Sequence, residues 1–164
     1  MNQQSGTVKI PLVGLSIGDG IMDPQTQTQG IADQAYMFGM FDYNERQVGL
    51  AYEQAIYQNI VRGELVTAFE YFDEYLNGDF YQYPTFYENV TGLGSYFNFL
   101  DPVYPSNPYT AFLNLPETQS SIHVRDNTIY SHYNKTVETY LIGDWMRSVA
   151  PILPTSLTEK GGKL

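Results

Sequence analysis

The stretch Lys9-Ile10-Pro11-Leu12-Val13-Gly14-Leu15-Ser16-Ile17 is apolar on both faces and rich in branched aliphatic residues. A short run with no polar alternation reads as a buried strand of the parallel kind. Gly6 bounds it on one side and Gly18-Asp19-Gly20 on the other. Pro11 stands near its start, where a missing N–H is tolerated. A parallel strand needs a partner reached through a long crossover. No partner strand is evident downstream, so the expectation is one strand of a larger α/β sheet followed by mostly helical chain.

The helical signals follow at once. Asp23-Pro24 predicts a helix start, with Asp23 capping free N–H groups and a body over 24–38 that ends near Gly39. Asp42 with Glu45 three residues on has the spacing of a capping box. Val48, Tyr52, Ala55 and Ile60 then mark one face of a helix, and Gly63 ends it. In the next helix Leu65, Phe69, Phe72 and Leu76 recur at i, i+4, i+7 and i+11 until Asn77-Gly78-Asp79 stops it. Together these two helices predict an αα-hairpin. Short helices are expected over 85–90 and 115–122, with an irregular loop between them rich in Tyr, Asn and Pro. A last helix is expected over 135–149, stopped by Pro151 and Pro154.

Composition bounds the function. The chain has 164 residues and a formal net charge of −10, from 8 Lys plus Arg against 18 Asp plus Glu. That balance repels phosphate backbones, so no nucleic-acid partner is expected. It offers no polybasic stretch for an anionic membrane surface, and no run of about 18 apolar residues spans a bilayer. With 43% hydrophobic residues the chain is far from a disordered composition. Fifteen tyrosines and nine phenylalanines point to amphipathic clefts rather than a plain aliphatic core. There is no cysteine, which excludes a disulfide framework, a cysteine zinc site and a cysteine nucleophile. No cofactor and no metal are expected.

Gly14-Leu15-Ser16-Ile17-Gly18 matches the G-x-S-x-G pattern of a nucleophile elbow. Asp101 or Asp126 and then His123 or His132 follow in the order of a triad. The physics argues that this constellation is a decoy. An elbow needs a helix that begins immediately after the serine, so that its N–H groups serve the oxyanion. Here Gly18, Gly20 and Pro24 fall within eight residues of Ser16 and make that stretch a loop. Ser16 reads as a strand residue bonded to backbone, His123 as a partly buried packing histidine and His132 as an exposed one. Glu70, Asp73 and Glu74, crowded on one helical turn, read as a solvated acidic face. Asp19 reads as a loop-binding carboxylate, because Gly18-Asp19-Gly20 lacks the further glycine and lysine of a phosphate loop.

Five separated blocks carry a resemblance. Leu15-Ser16-Ile17-Gly18-Asp19-Gly20 with Asp23-Pro24 resembles the G-D-G…D-P segment of the serine carboxypeptidases. So do Met37 to Asp42, Phe86-Tyr87-Glu88-Asn89-Val90-Thr91-Gly92 with Tyr96-Phe97-Asn98-Phe99, Phe112 to Glu117 with Ile122-His123-Val124, and Asp144 to Val149. The nearest subgroup looks like the vitellogenic-like carboxypeptidases. The resemblance implies an α/β-hydrolase fold with a helical cap, and release of C-terminal residues from peptides by a Ser-Asp-His triad. It implies that the chain matches a middle segment of such an enzyme. Residues 1–24 would be core strand and loop, 25–155 the helical cap, and 156–164 the start of the return to the core. None of the triad motifs has a counterpart here, so no catalytic residue is assigned and the segment alone is expected to be inactive. Family members carry a cysteine after the Asn-Val-Thr-Gly segment where this chain has Leu93, so Tyr and Phe packing must hold the cap.

Asn89-Val90-Thr91 and Asn134-Lys135-Thr136 are N-x-S/T sequons, and the resemblance makes Asn89 and Asn134 candidate glycan sites. It also implies a secreted, lysosomal or vacuolar location, although the polar N-terminus reads as no signal peptide. The expected partner is a peptide substrate, with the aromatic stretch 81–109 as candidate cleft lining. A homodimer is the further possibility, through apolar surface that missing strands leave open. Two other readings remain: a non-catalytic binding or dimerisation module derived from a cap, and a small ester hydrolase using Ser16 with His132.

Overall fold

A computed structural model describes residues 16–100, 107, 109–125 and 128–152. Every regular element among them is a helix. The strand expected over 9–17 falls almost wholly outside the described residues, and Ser16 and Ile17 belong to no regular element. The expected return over 156–164 lies outside them too.

α1 (Pro24–Gln27) and α2 (Ile31–Met37) stand where one helix over 24–38 was expected. Gly30, at φ 88°, breaks the run. Asp23 does not cap α1 through its side chain. Its Oδ2 instead accepts from the Thr26 hydroxyl at 2.6 Å. That bond, with a smaller one from Ser148, holds the Asp23 carboxyl below its usual range.

α3 (Tyr43–Arg62) is the longest helix, and its ends follow local rules. Asp42 Oδ1 accepts from Glu45 N at 2.8 Å while Glu45 Oε2 accepts from Asp42 N at 2.6 Å, a reciprocal capping box. Gly63 closes the other end at φ 77°, a conformation that strains residues with a Cβ. The buried face overlaps the expected one, since Tyr52 and Ile60 pack half-buried against the core, but it is turned away from Val48. Gly49, Glu53, Ile56 and Asn59 are buried, whereas Val48 is 44% exposed. Polar side chains turn inward because each has a partner. Asn59 Nδ2 donates to Ala55 O at 2.8 Å. Glu53 accepts from Gly30 N at 2.8 Å and Ala32 N at 2.7 Å, capping α2 from a different helix. Gly49 lets neighbours close in: a Cβ there would lie 2.8 Å from Ala32 Cβ and 2.9 Å from the Tyr75 hydroxyl.

α4 (Leu65–Phe72) runs on into a π-helical turn, Asp73–Asn77, closed by Gly78 N donating to Asp73 O at 2.9 Å. The widened turn buries Asp73, Tyr75 and Leu76 together. Asp73 is therefore no part of a solvated acidic face. It is 3% exposed and accepts from the backbone N–H groups of Asp79, Phe80 and Tyr81 at 2.8, 3.0 and 2.6 Å. Its neighbour Glu74 accepts from the Tyr52 hydroxyl at 2.9 Å. Burial, with that carboxylate beside it, raises the Tyr52 phenol well above its usual value.

α5 (Phe86–Thr91), capped by Thr85, closes over the π turn. The core gathers Ala35, Phe41, Ile56, Ala68, Phe69, Phe72, Tyr75, Leu76, Tyr87 and Met146. Rings do much of the filling. Tyr52 stacks on Tyr75 at 5.2 Å, Phe86 meets Phe41 edge-on at 5.5 Å, and Phe69 meets Phe80 and Trp145 edge-on.

The second half packs differently. α6 (Tyr109–Leu113), where no helix was expected, pairs with α7 (Pro116–Ser121). α8 (Lys135–Trp145) ends four residues before the expected Val149 and packs on α4. Neither α6 nor α8 has a buried residue, although Met146, just past α8, is fully buried in the core.

Candidate functional site

A groove of about 710 Å³ lies between the segment before α1, the π turn and α8. Several local bonds shape it. Gln27 Oε1 accepts from Met22 N and Asp23 N at 2.7 Å each, and Gln27 Nε2 donates to Gly20 O at 3.2 Å. The glutamine thus folds residues 20–23 back onto α1. Val149 N donates to Met22 O at 2.8 Å, which ties that loop to the chain after α8. On the opposite side Asp73 holds Asp79 through its backbone N–H. Asn77 Nδ2 donates to Asp79 Oδ2 at 2.8 Å and also to Asp73 Oδ1 at 3.1 Å.

Apolar side chains from Ile21, Ile31, Phe72, Leu76, Leu141 and Trp145 form much of the groove wall. Carboxylates from Asp19, Asp79 and Asp144 stand among the lining, with Arg147 as the only cation there among the described residues. Arg147 Nε lies 3.5 Å from Asp144 Oδ1, and both side chains are mostly exposed, so their attraction is weak. A second hollow of about 320 Å³ shares Leu76, Asn77, Asp79 and Tyr96 with the groove and adds Tyr83, Tyr87 and Glu88.

Beside this area α8 brings Glu138 toward the acidic turn. Its Oε2 is buried without a hydrogen-bond partner among the described residues. Burial, with Asp79 and Asp73 close by, raises the Glu138 carboxyl above its usual value, while Tyr133 opposes the rise. The Tyr133 phenol is pushed up to about 12, chiefly by the Glu138 carboxylate it faces.

Of the residues singled out from sequence, Ser16, His123, His132, Asn89 and Asn134 do not line the groove. Ser16 is exposed and lies in open chain, and the first helix begins eight residues later at Pro24. Among the described residues, the positive φ angles outside glycine belong to Asp19 and His123. His132 is exposed. His123 is exposed as well, at φ 58° just beyond α7, and is not the half-buried packing residue expected. No hydrogen bond joins Ser16 to either histidine among the described residues, while Asp101 and Asp126 lie outside them. Asn89 is exposed on α5, with Nδ2 donating to Pro84 O at 3.1 Å. Asn134 is exposed at the N-cap of α8, where its Oδ1 accepts from Val137 N at 3.2 Å. Within the aromatic stretch 81–109, Tyr96 and Phe97 reach the groove and Tyr83 and Tyr87 the smaller hollow. Residues 101–106 and 108 lie outside the described residues. No group of three or more His, Asp or Glu among the described residues is arranged to hold a metal. No helix among them is long and apolar enough to cross a membrane.

Sequence reasoning did not single out Phe72, Asp79, Leu141 or Trp145 as site residues. Their signal is tertiary: Phe72 ends α4, Asp79 lies just past the π turn, and Leu141 and Trp145 stand on α8, far away in sequence.

Comparison with known proteins supplies the wider context. The chain is 37% identical over 155 residues to the venom serine carboxypeptidase of Apis mellifera, covering 93% of this chain and 32% of that protein. It is 36% identical over 148 residues to the probable serine carboxypeptidase CPVL of Homo sapiens, covering 89% and 31%. The vitellogenic carboxypeptidase of Aedes aegypti is 30% identical over 148 residues, covering 87% and 31%. The chain thus spans about a third of the length of these relatives. No solved structure shows significant similarity to it. The serine carboxypeptidase family matches residues 1–162, nearly the whole chain, and the protein belongs to that family.

Proposed function

We propose that this chain serves as the helical, substrate-covering part of a serine-type carboxypeptidase, which removes C-terminal residues from peptides within an α/β-hydrolase framework. The observation that carries the reading is the family match over residues 1–162, taken with the 710 Å³ groove on the helical region. In this reading the helices shape the peptide cleft and exclude water from it. The nucleophile, histidine and aspartate come from parts of the relatives that this chain does not match. The 164 residues alone hydrolyse nothing. Ser16 and His132 are not catalytic. Asn89 and Asn134 carry glycans in a secreted or lysosomal enzyme; both are exposed, and Asn134 caps α8 through Oδ1, leaving Nδ2 for the sugar.

The test is a graft. The 155 matched residues of the Apis mellifera protein are replaced by this chain, and release of the C-terminal residue from a blocked dipeptide is measured. Activity of the folded chimera is expected, and its loss overturns the reading. Incubation of the 164-residue chain with a fluorophosphonate probe should leave Ser16 unlabelled. Label on Ser16 would make the chain a compact hydrolase instead.

A further inference from the structure

The groove combines two features that a peptide cleft can have separately. Its walls present aromatic and aliphatic surface, in which Leu141 is 41% and Trp145 40% exposed. Its lining carries three carboxylates, Asp19, Asp79 and Asp144, against one guanidinium, Arg147, which already lies beside Asp144. Among the described residues, three negative charges and one positive leave a net of −2 beside low-dielectric walls, in a chain whose formal net charge is −10. Such an arrangement focuses negative potential into the cleft and raises the local concentration of cations. A neutral apolar segment would leave the excess negative charge of the lining uncompensated, and an acidic one would be repelled.

We propose that this groove binds a cationic, apolar peptide segment, with an aromatic or aliphatic side chain against Trp145 and Leu141 and flanking lysine or arginine at Asp19, Asp79 and Asp144. The inference names a substrate class for the carboxypeptidase reading and rests on it, although the binding itself needs no catalytic residue.

Trp145 is the one tryptophan of the chain, so intrinsic emission reports on the groove directly. The 164-residue chain is titrated with the blocked peptides acetyl-Lys-Phe-Leu-Lys-amide and acetyl-Glu-Phe-Leu-Glu-amide. A saturable change in emission is expected with the first, at least about tenfold tighter than with the second. The double variant Asp19→Asn/Asp144→Asn, both at exposed positions, should weaken the lysine peptide roughly three- to tenfold with an unchanged far-UV spectrum. The control Glu64→Gln/Glu70→Gln removes two exposed charges that do not line the groove and should leave binding unaltered. Equal affinity for both peptides, no saturable change with either, or an equal loss in the control variant would each overturn the proposal. A chimera inactive in the graft experiment, with binding intact, would instead sink the carboxypeptidase reading and leave the groove a peptide-binding surface.

Discussion

The stretch from α2 through α5 and the stretch from α6 through α8 have similar helical signals and opposite energetics. In the first, every helix places side chains inside, and Ile56, Ala68 and Tyr75 are wholly removed from solvent. In the second, Phe112, Ile129, Val137 and Tyr140 are 54–85% exposed. Burying a large apolar side chain contributes about 1.5–3 kcal/mol, so the first region holds most of the stabilising area. The second is anchored mainly at the end of α8, where Met146 enters the core and Trp145 meets Phe69 edge-on. A helix can thus be locally well specified and still own no core. What separates the regions is whether a facing helix arrives within reach, not how apolar the sequence is.

The largest effect expected breaks that contrast at its centre. Phe69→Ala should lower stability by about 3–5 kcal/mol, read as a shifted urea midpoint, because the ring is 2% exposed and touches several others. Tyr140→Ala, at a site 84% exposed, should stay within about 0.5 kcal/mol. Comparable losses at the two sites would mean that α8 belongs to the core after all.

Polar residues inside the first region come next. Asp73→Asn should lose about 1–3 kcal/mol, because an amide presents one acceptor where three backbone N–H groups and Asn77 now share two oxygens. Glu53→Ala should lose about as much, since Gly30 N and Ala32 N would have no acceptor. Hydrogen exchange should show the loss concentrated in α2; a uniform loss would mean Glu53 acts on the whole bundle. Gly49→Ala should be destabilising by about 1–3 kcal/mol although alanine favours helices, because its Cβ would meet Ala32 and Tyr75.

The smallest effect concerns pH and the seam between the regions. Glu138 has a carboxyl raised in the folded chain above its ordinary value of 4.5. The folded state therefore binds the proton more tightly than the unfolded one. Stability from this group is fully present below the unfolded value and is lost as pH rises through the folded one. Glu138→Gln should raise the urea midpoint slightly at pH 7 and change it less at pH 4. A variant with the same shift at both values would show that the carboxyl does not titrate across that window.

Much of the helical framework was legible. The Asp42–Glu45 capping box, the Gly63 and Gly78 stops and the inward row of half-buried Leu65 with buried Phe69, Phe72 and Leu76 rest on contacts between residues a few positions apart. Such contacts are written into the spacing of side chains. The site was less legible. The G-x-S-x-G pattern and two histidines drew attention to Ser16, His123 and His132, which are exposed and share no hydrogen bond among the described residues. The groove is built from the loop before α1, the π turn and α8, which no local pattern connects.

The sequence by itself determined where α3 begins and ends and where the helical run from Leu65 stops, the aromatic character of the core, the negative charge and, through five ordered blocks, the family. Tertiary structure alone decided that Gly30 breaks the first helix and that Glu53, 23 residues away, caps the piece beyond it. It turned α3 so that Val48 faces solvent, and it drew Asp73 out of an acidic face into the interior. The physical reason is range. A cap or a stripe is settled within a turn or two of chain, whereas a buried carboxylate is tolerable only when distant backbone donors arrive to meet it.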